Sequence, residues 1–280
     1  MALDQMNSEE KEMSFLDHLE ELRWHIVRSV ASVMVGFVIA FVFAKWIFDN
    51  IVFAPAKASF ITFRALCKIG DYFNTDAICV TEIPFKVQSR FVTGQFSMQF
   101  TAAFVIGLIL AFPYVFWELW RFVKPGLYTT EKKGSQGAVF AVTILFLMGV
   151  SFGYFILCPM SMYFFANYTI SDMIVNEFDI TSYVSTIVAL VFGSGVLFQL
   201  PVAIFFLTRI GLVTPQFLRT YRKHAIIIIL VLAAIITPPD MLSQMIITMP
   251  LWVLYEISIF ISAREVRRKE RIAALEHLQQ

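Results

Sequence analysis

The chain has 280 residues, of which 58% are hydrophobic and 16% aromatic, with 30 Phe and only 15% charged residues. A soluble domain of that size has too little polar surface to cover so much apolar side chain, so an ordinary soluble globule is excluded and a lipid-embedded chain is indicated. A net charge of +1 likewise argues against a nucleic-acid partner, which normally needs a basic face.

Residues 1–25 carry Asp4, Glu9, Glu10, Glu12, Asp17, Glu20 and Glu21 in place of the basic start of a cleavable signal, so the first helix is expected to stay in the mature chain. Phe15, Leu19, Leu22 and Ile26 recur at helical spacing on one face, while Asp17, Glu21, Trp24 and Arg28 gather on the other. This spacing predicts an amphipathic surface helix that turns into the membrane. Its acidic face is either simply solvated or a cation-accepting site built from Glu21 with Asp17.

Four uncharged runs follow, at 29–44, 91–117, 134–171 and 180–208. A bilayer core of roughly 30 Å needs about 20 helical residues, so the last three suffice outright and the first does so if Arg28 and Lys45 reach for the interfaces. The third run is too long for a straight span, and Gly149, Gly153 and Pro159 are expected to bend it. Residues 225–239 and 241–263 complete six segments, and both are expected to be short. Glu256 within the last is costly unless paired or near the surface.

The predicted fold class is therefore all-α: six transmembrane helices with both termini inside. Its expected parts are a cytoplasmic helix over 1–25, a membrane domain over 26–263 and a charged cytoplasmic tail over 264–280. With this topology all but six of the 22 Lys and Arg fall on the inner side, as cation-rich loops do. The six exceptions, Lys45, Lys57, Arg64, Lys68, Lys86 and Arg90, belong to a long outer cap loop at about 49–90 or its edges. Pro55, Gly70 and Pro84 break that loop into short helices. Cys67 and Cys79 within it are either a disulfide or two free thiols, and Cys158 is a small apolar filler of the third span.

The most charged inward segment is Glu118–Lys133, ELWRFVKPGLYTTEKK, a ledge between two spans. Pro125-Gly126 breaks it, Trp117, Trp120 and Phe122 suit the headgroup level, and the charges are expected just outside. Farther on, Gln199 after Gly193-Ser194-Gly195 is either interhelical glue or the lining of a polar cavity. Asp240 in Thr237-Pro238-Pro239-Asp240 is either a cap for the last helix or directly functional. The sequence lacks metal-ligand spacing, a phosphate-binding loop and a nucleophile elbow, so neither an enzyme nor a metal or other cofactor is expected.

Several motifs in order carry a family resemblance: Phe15-Leu-x-His18-Leu-Glu-Glu21-Leu-Arg23, Pro55, Trp120-x-Phe122-x-x-Pro125-x-Leu-Tyr128-x-x-Glu131-Lys-Lys133, Phe152-x-Tyr154-Phe-x-x-x-Pro159, Phe198-Gln199-x-Pro201 and Thr237-Pro-Pro-Asp240-x-x-Ser243-Gln244. Across roughly residues 13–262 the chain resembles the TatC family of the twin-arginine protein translocase. The resemblance implies a receptor in the bacterial cytoplasmic membrane that recognises paired-arginine signal peptides. It also implies recruitment of small single-span TatA/TatB-type partners, a homo-oligomer within the complex, and export of folded proteins driven by the proton-motive force. Glu21 and Glu131 match the acidic positions that engage the arginine pair, and Phe122 matches the aromatic beside them; Arg23 and Lys133 flank the carboxylates in the same motifs and are placed in the site. Pro55, Pro125, Gln199, Pro201, Asp240 and Gln244 are assigned to partner contact or structure. Gln199 stands where many members carry Glu, and a neutral amide can only hydrogen-bond. Two other classes remain: a small-solute transporter, for which no internal repeat is visible, and a structural membrane scaffold.

Overall fold

The computed structural model describes residues 15–75, 79–80, 82–123, 135–237 and 241–278. Helix α1 (Phe15–Val42) runs without interruption from the expected surface segment into the expected span. The boundary drawn at residue 25 therefore falls inside one continuous helix: no Gly or Pro lies between Phe15 and Gly36 to break it. A short helix α2 (Ala44–Ile47) and a π turn (Phe48–Val52) lead into a 3₁₀ turn (Ala54–Ala56), where Pro55 is buried at a helix start, a position that needs no N–H. Helix α3 (Ile61–Tyr72) and strand β1 (Lys86–Gln88) complete the first long loop.

Helix α4 (Gly94–Val123) is 30 residues long and continues through Pro113 and past Glu118. The third run is bent as expected: α5 (Ser135–Phe152), a π turn at Gly153–Leu157, then α6 (Cys158–Asn167) with Pro159 in its first turn. Strand β2 (Glu177–Asp179) pairs in parallel with β1, Val87 opposite Phe178, a small exception to an all-helical chain. Next come α7 (Ile180–Leu197) and α8 (Leu200–Arg209), separated at Phe198-Gln199 because Pro201 cannot continue the α7 ladder. Gly211, at φ +83°, closes α8: the Leu212 N–H reaches the Leu207 carbonyl and the Gly211 N–H that of Thr208. Thr214 then caps α9 (Pro215–Thr220) by accepting the Phe217 N–H at 3.2 Å.

Among the described residues, five helices are long and apolar enough to cross a membrane: 20–42, 94–122, 139–167, 180–209 and 243–271. The sixth expected segment, α10 (Arg222–Ile236), has only 15 residues, about 22 Å at 1.5 Å per residue, short of the roughly 30 Å hydrocarbon core. The final helix α11 (Met241–Leu278) is not short but runs 38 residues, taking in almost all of the charged tail. Ala, Leu, Glu and Arg are good helix formers, so nothing in that tail stops it.

Apolar helices in lipid gain little from burying one another, so close approach and internal hydrogen bonds hold them together. Between α1 and α4, a methyl on Gly36 would lie 2.9 Å from the Gly107 Cα. Against α7, a methyl on Gly149 would lie 2.9 Å from the Gly195 Cα, and the Ser194 hydroxyl donates to the Gly149 carbonyl at 2.7 Å. Thr208 of α8 pairs with Ser262 of α11 at 2.8 Å, and Ser161 of α6 with Ser243. Glu256 is paired, at 2.7 Å, with Arg222 of α10.

At the opposite end from Glu21, the cap is sewn to the bundle. Tyr154 and Tyr183 donate to the carbonyls of Ile51 and Val52 at 3.0 and 2.9 Å, and the Thr62 hydroxyl donates to that of Phe155. Phe53 stacks on Tyr183 at 5.4 Å. Asp179 caps α7 by accepting the Thr181 hydroxyl and N–H, and its other oxygen accepts the Arg90 N–H at 2.9 Å.

These features yield two expected outcomes. Gly107→Ala should lower stability by about 1–3 kcal/mol, because its new methyl meets α1 backbone that cannot yield; Gly137→Ala, with open space around it, should be neutral or slightly stabilising, and melting of the purified protein compares them. The bonds from Thr181 and Arg90 hold the Asp179 carboxyl below its usual value of 3.8. A carboxylate with a lowered folded pKa contributes stability above its unfolded value and loses it as pH falls through the folded one. Protection of the Thr181 and Arg90 amides, corrected for the intrinsic pH dependence of exchange, should therefore fall on acidification through the lowered value, and Asp179→Ala should lower that protection at neutral pH and remove the acid-dependent fall.

Candidate functional site

Helix α1 turns Glu21, Trp24, His25 and Arg28 to one side at spacings of three and four. Helix α4 does the same with Tyr114, Trp117, Glu118 and Arg121. The two helices run antiparallel in close contact, so these faces meet near the N-terminal end of α1 and the C-terminal end of α4. Glu21, Trp24, His25, Arg28 and Arg121 line a cavity of about 350 Å³ there.

The base of the mouth is polar and dry. Glu118 is 1% exposed; its Oε2 accepts from His25 Nδ1 and its Oε1 from the Tyr114 hydroxyl at 2.8 Å. An ionised carboxylate only accepts, so the imidazole must carry its proton on Nδ1. A buried carboxylate without partners is costly, and here both oxygens are engaged from two helices. Glu118 is thus a clasp between α1 and α4.

The rim is different. The Glu21 side chain is 37% exposed, and its Oε1 lies 3.9 Å from His25 Nε2, beyond a hydrogen bond. Its oxygens are available to an incoming donor. Arg121 lies over the Trp117 ring, 5.1 Å from its centroid, and Phe122 meets the His25 ring edge-on at 6.1 Å.

Of the expected peptide-binding residues, the structure brings Glu21 and Phe122 to this mouth. Arg23 is exposed and does not line the cavity. Pro125, Glu131, Lys133 and Asp240 lie outside the described residues. Glu118, read as a surface charge of the ledge, is instead buried, because α4 extends beyond it and turns it toward His25. Trp120 is also buried, against Phe206 at 5.5 Å.

The remaining expected positions do not converge on the mouth. Pro55 is buried within the cap. Gln199 donates to the Val142 carbonyl at 3.3 Å, and its buried Oε1 has no partner among the described residues. Pro201 lines an apolar groove of about 270 Å³ with Val142 and Phe205. Gln244 donates to the Leu230 carbonyl at 3.3 Å, tying α11 to α10. Cys67 and Cys79 are joined in a disulfide with Cα atoms 4.2 Å apart, and Cys158 is a buried free thiol.

Sequence reasoning missed the clasp. The signal was present: Tyr114 and Glu118 are four apart, as are Glu21 and His25, and an acid flanked by apolar residues near a helix end needs a partner.

Residues 17–250 match the family model for the Sec-independent protein translocase protein (TatC). A Sec-independent protein translocase protein TatC from Blattabacterium sp. subsp. Periplaneta americana is 41% identical over 266 residues, covering 94% of this chain and 100% of that protein. The TatCy protein of Bacillus subtilis is 38% identical over 267 residues, 94% of each chain. A crystal structure described as the twin arginine translocase receptor TatC is similar with a TM-score of 0.65 at 28% identity, over 89% of this chain and 99% of that one. A second, of that receptor in DDM, gives 0.68 at 28% identity, over 88% and 99%.

Removing the clasp should be costly out of proportion to its size. Glu118→Ala, which leaves the buried His25 ring and the part-exposed Tyr114 hydroxyl without their acceptor, is expected to destabilise the protein by about 3 kcal/mol, and Tyr114→Phe by about 1 kcal/mol. Thermal melting of the two variants checks the order.

Proposed function

The chain belongs to the TatC family of Sec-independent protein translocase proteins, a non-enzymatic family of multi-pass membrane proteins, and from that premise we propose that it is the receptor that binds twin-arginine signal peptides at the mouth between α1 and α4. The observation that carries this reading is the contrast between two carboxylates in one concave site. Glu118 is satisfied internally, whereas Glu21 keeps accessible oxygens at the rim. A planar guanidinium can engage such a carboxylate through two parallel bonds, which a compact ammonium cannot match. Each charge-assisted bond is worth roughly 1.5–3 kcal/mol, less where exposed.

In this reading Glu131 supplies the second carboxylate from the segment after α4, and Phe122 packs beside the pair. Arg28 and Arg121 repel a bound arginine from the cavity wall and so leave the carboxylates as its partners. The mouth faces the cytoplasm of a bacterium, across its inner membrane, with both termini on that side, in keeping with the distribution of Lys and Arg. The receptor assembles with copies of itself and small single-span TatA/TatB-type subunits, and folded precursors cross at the expense of the proton-motive force.

Charge reversal at both sites, Glu21→Lys with Glu131→Lys, should weaken binding of a twin-arginine peptide by about tenfold or more, as loss of one such bond implies. A twin-lysine peptide should bind the unaltered protein less well. A photocrosslinker at residue 131 should form an adduct with an exported precursor; undiminished twin-arginine binding by the double variant together with no adduct would leave the transporter or scaffold reading.

A further inference from the structure

A second charged groove lies where α9 meets α11. Arg219 of α9 and Arg264, Arg267, Arg268 and Arg271 of α11, with Phe260 beneath them, line a cavity of about 740 Å³. The four arginines of α11 recur at spacings of three, four and seven, which puts them on one face. Arg219 is brought opposite them because the Tyr255 hydroxyl of α11 donates to the Leu218 carbonyl at 2.8 Å and Leu218 is buried. Among the described residues no carboxylate lines the groove; the buried Glu265 pairs with Arg268 at 3.8 Å from behind it.

Five guanidiniums gathered around the single carboxylate of Glu265, which pairs with Arg268 alone, still repel one another, and the arrangement is relieved by an anion that fills the space between them. A cavity of this size is in the range of sites that enclose a ligand of several tens of atoms. The same helix face says what kind of anion. Reading back along α11, Phe260, Ile257, Val253 and Met249 continue the arginine stripe at the same spacings, and all four are exposed. The groove therefore sits directly above an apolar strip of the membrane-spanning part of α11. A free anion has no use for that strip, whereas a lipid places its phosphate among the arginines and its acyl chains along the side chains below.

We infer that this groove binds the phosphate headgroup of an anionic phospholipid, with the guanidiniums donating to its oxygens in bidentate fashion. The site is independent of the mouth between α1 and α4 and does not depend on which peptide binds there.

The test uses the purified full chain in a neutral detergent, with native mass spectrometry of retained lipid during titration with phosphatidylglycerol or phosphatidylcholine. Phosphatidylglycerol should bind about tenfold or more tightly than phosphatidylcholine. The four exposed substitutions Arg264→Gln, Arg267→Gln, Arg268→Gln and Arg271→Gln should abolish that preference. Removing as much charge at the other end, with Lys45→Gln, Arg64→Gln, Lys68→Gln and Lys86→Gln, should leave it intact. If the first variant does not fold, Arg→Lys at the same four positions keeps the charge but loses the planar fork, and should weaken the preference. The inference is overturned if the Gln variant, or the Lys variant standing in for it, keeps the full preference, or if phosphatidylcholine binds equally well. It is also overturned if inorganic phosphate displaces phosphatidylglycerol completely, which would mark a free-anion site.

Discussion

The contact between α1 and α4 is the constraint on which the candidate site depends. Two long helices are pressed together at Gly36 and Gly107, where neither tolerates a side chain, and are clasped near one end by His25, Glu118 and Tyr114. The first interaction fixes the distance between the helices and the second their register. With both set, Glu21, Arg28 and Arg121 have no choice about where they stand. A slip of one residue along α1 would rotate it by about 100° and carry Glu21 away from the cavity. The clasp thus converts a packing interaction in the middle of the bundle into a defined polar surface at its edge.

The same economy holds elsewhere. In a bundle with little hydrophobic drive between its helices, several polar side chains find a partner on another element: Ser194 with α5, Thr208 with Ser262, Ser161 with Ser243, Arg222 with Glu256. These bonds choose which helices are neighbours. They also explain how the bent third run is tolerated, since Gly149 and Gly153 let α7 come close enough for Ser194 to take up a carbonyl at the bend.

How much of this was legible beforehand depended on whether the deciding physics was local. The long spans, the bend at Gly149, Gly153 and Pro159, and the shortness of the helix before Thr237 follow from hydropathy and breakers, which act within a few residues. The length of the last helix is not legible from composition, because a change from apolar to charged residues does not end a helix; a breaker or a cap does, and 264–278 has neither. Glu118 was misjudged for a related reason. Proximity to Arg121 and Lys124 in sequence suggested a surface charge, while its surroundings are set by the turn of α4 and by His25, 93 residues away. Residue type alone could say that an acid there needs a partner; only the pairing of α1 with α4 could say which.

The distribution of sign at this end of the molecule adds a last step. The C-terminal stretch of α11 bears the five-arginine groove with Arg219, and Arg28 and Arg121 line the mouth itself, so a cationic peptide approaching this end meets repulsion over much of it. The accessible carboxylate of Glu21 is an exception set in a recess of limited volume. Electrostatic interactions between exposed groups decay within about 8–10 Å at physiological salt, so attraction by one carboxylate is felt only after close approach. Such a field disfavours diffuse adsorption of basic segments and favours a ligand whose positive charge is compact, planar and correctly placed. Under the proposed receptor function, selectivity at this mouth comes as much from the arginines that repel as from the carboxylate that attracts.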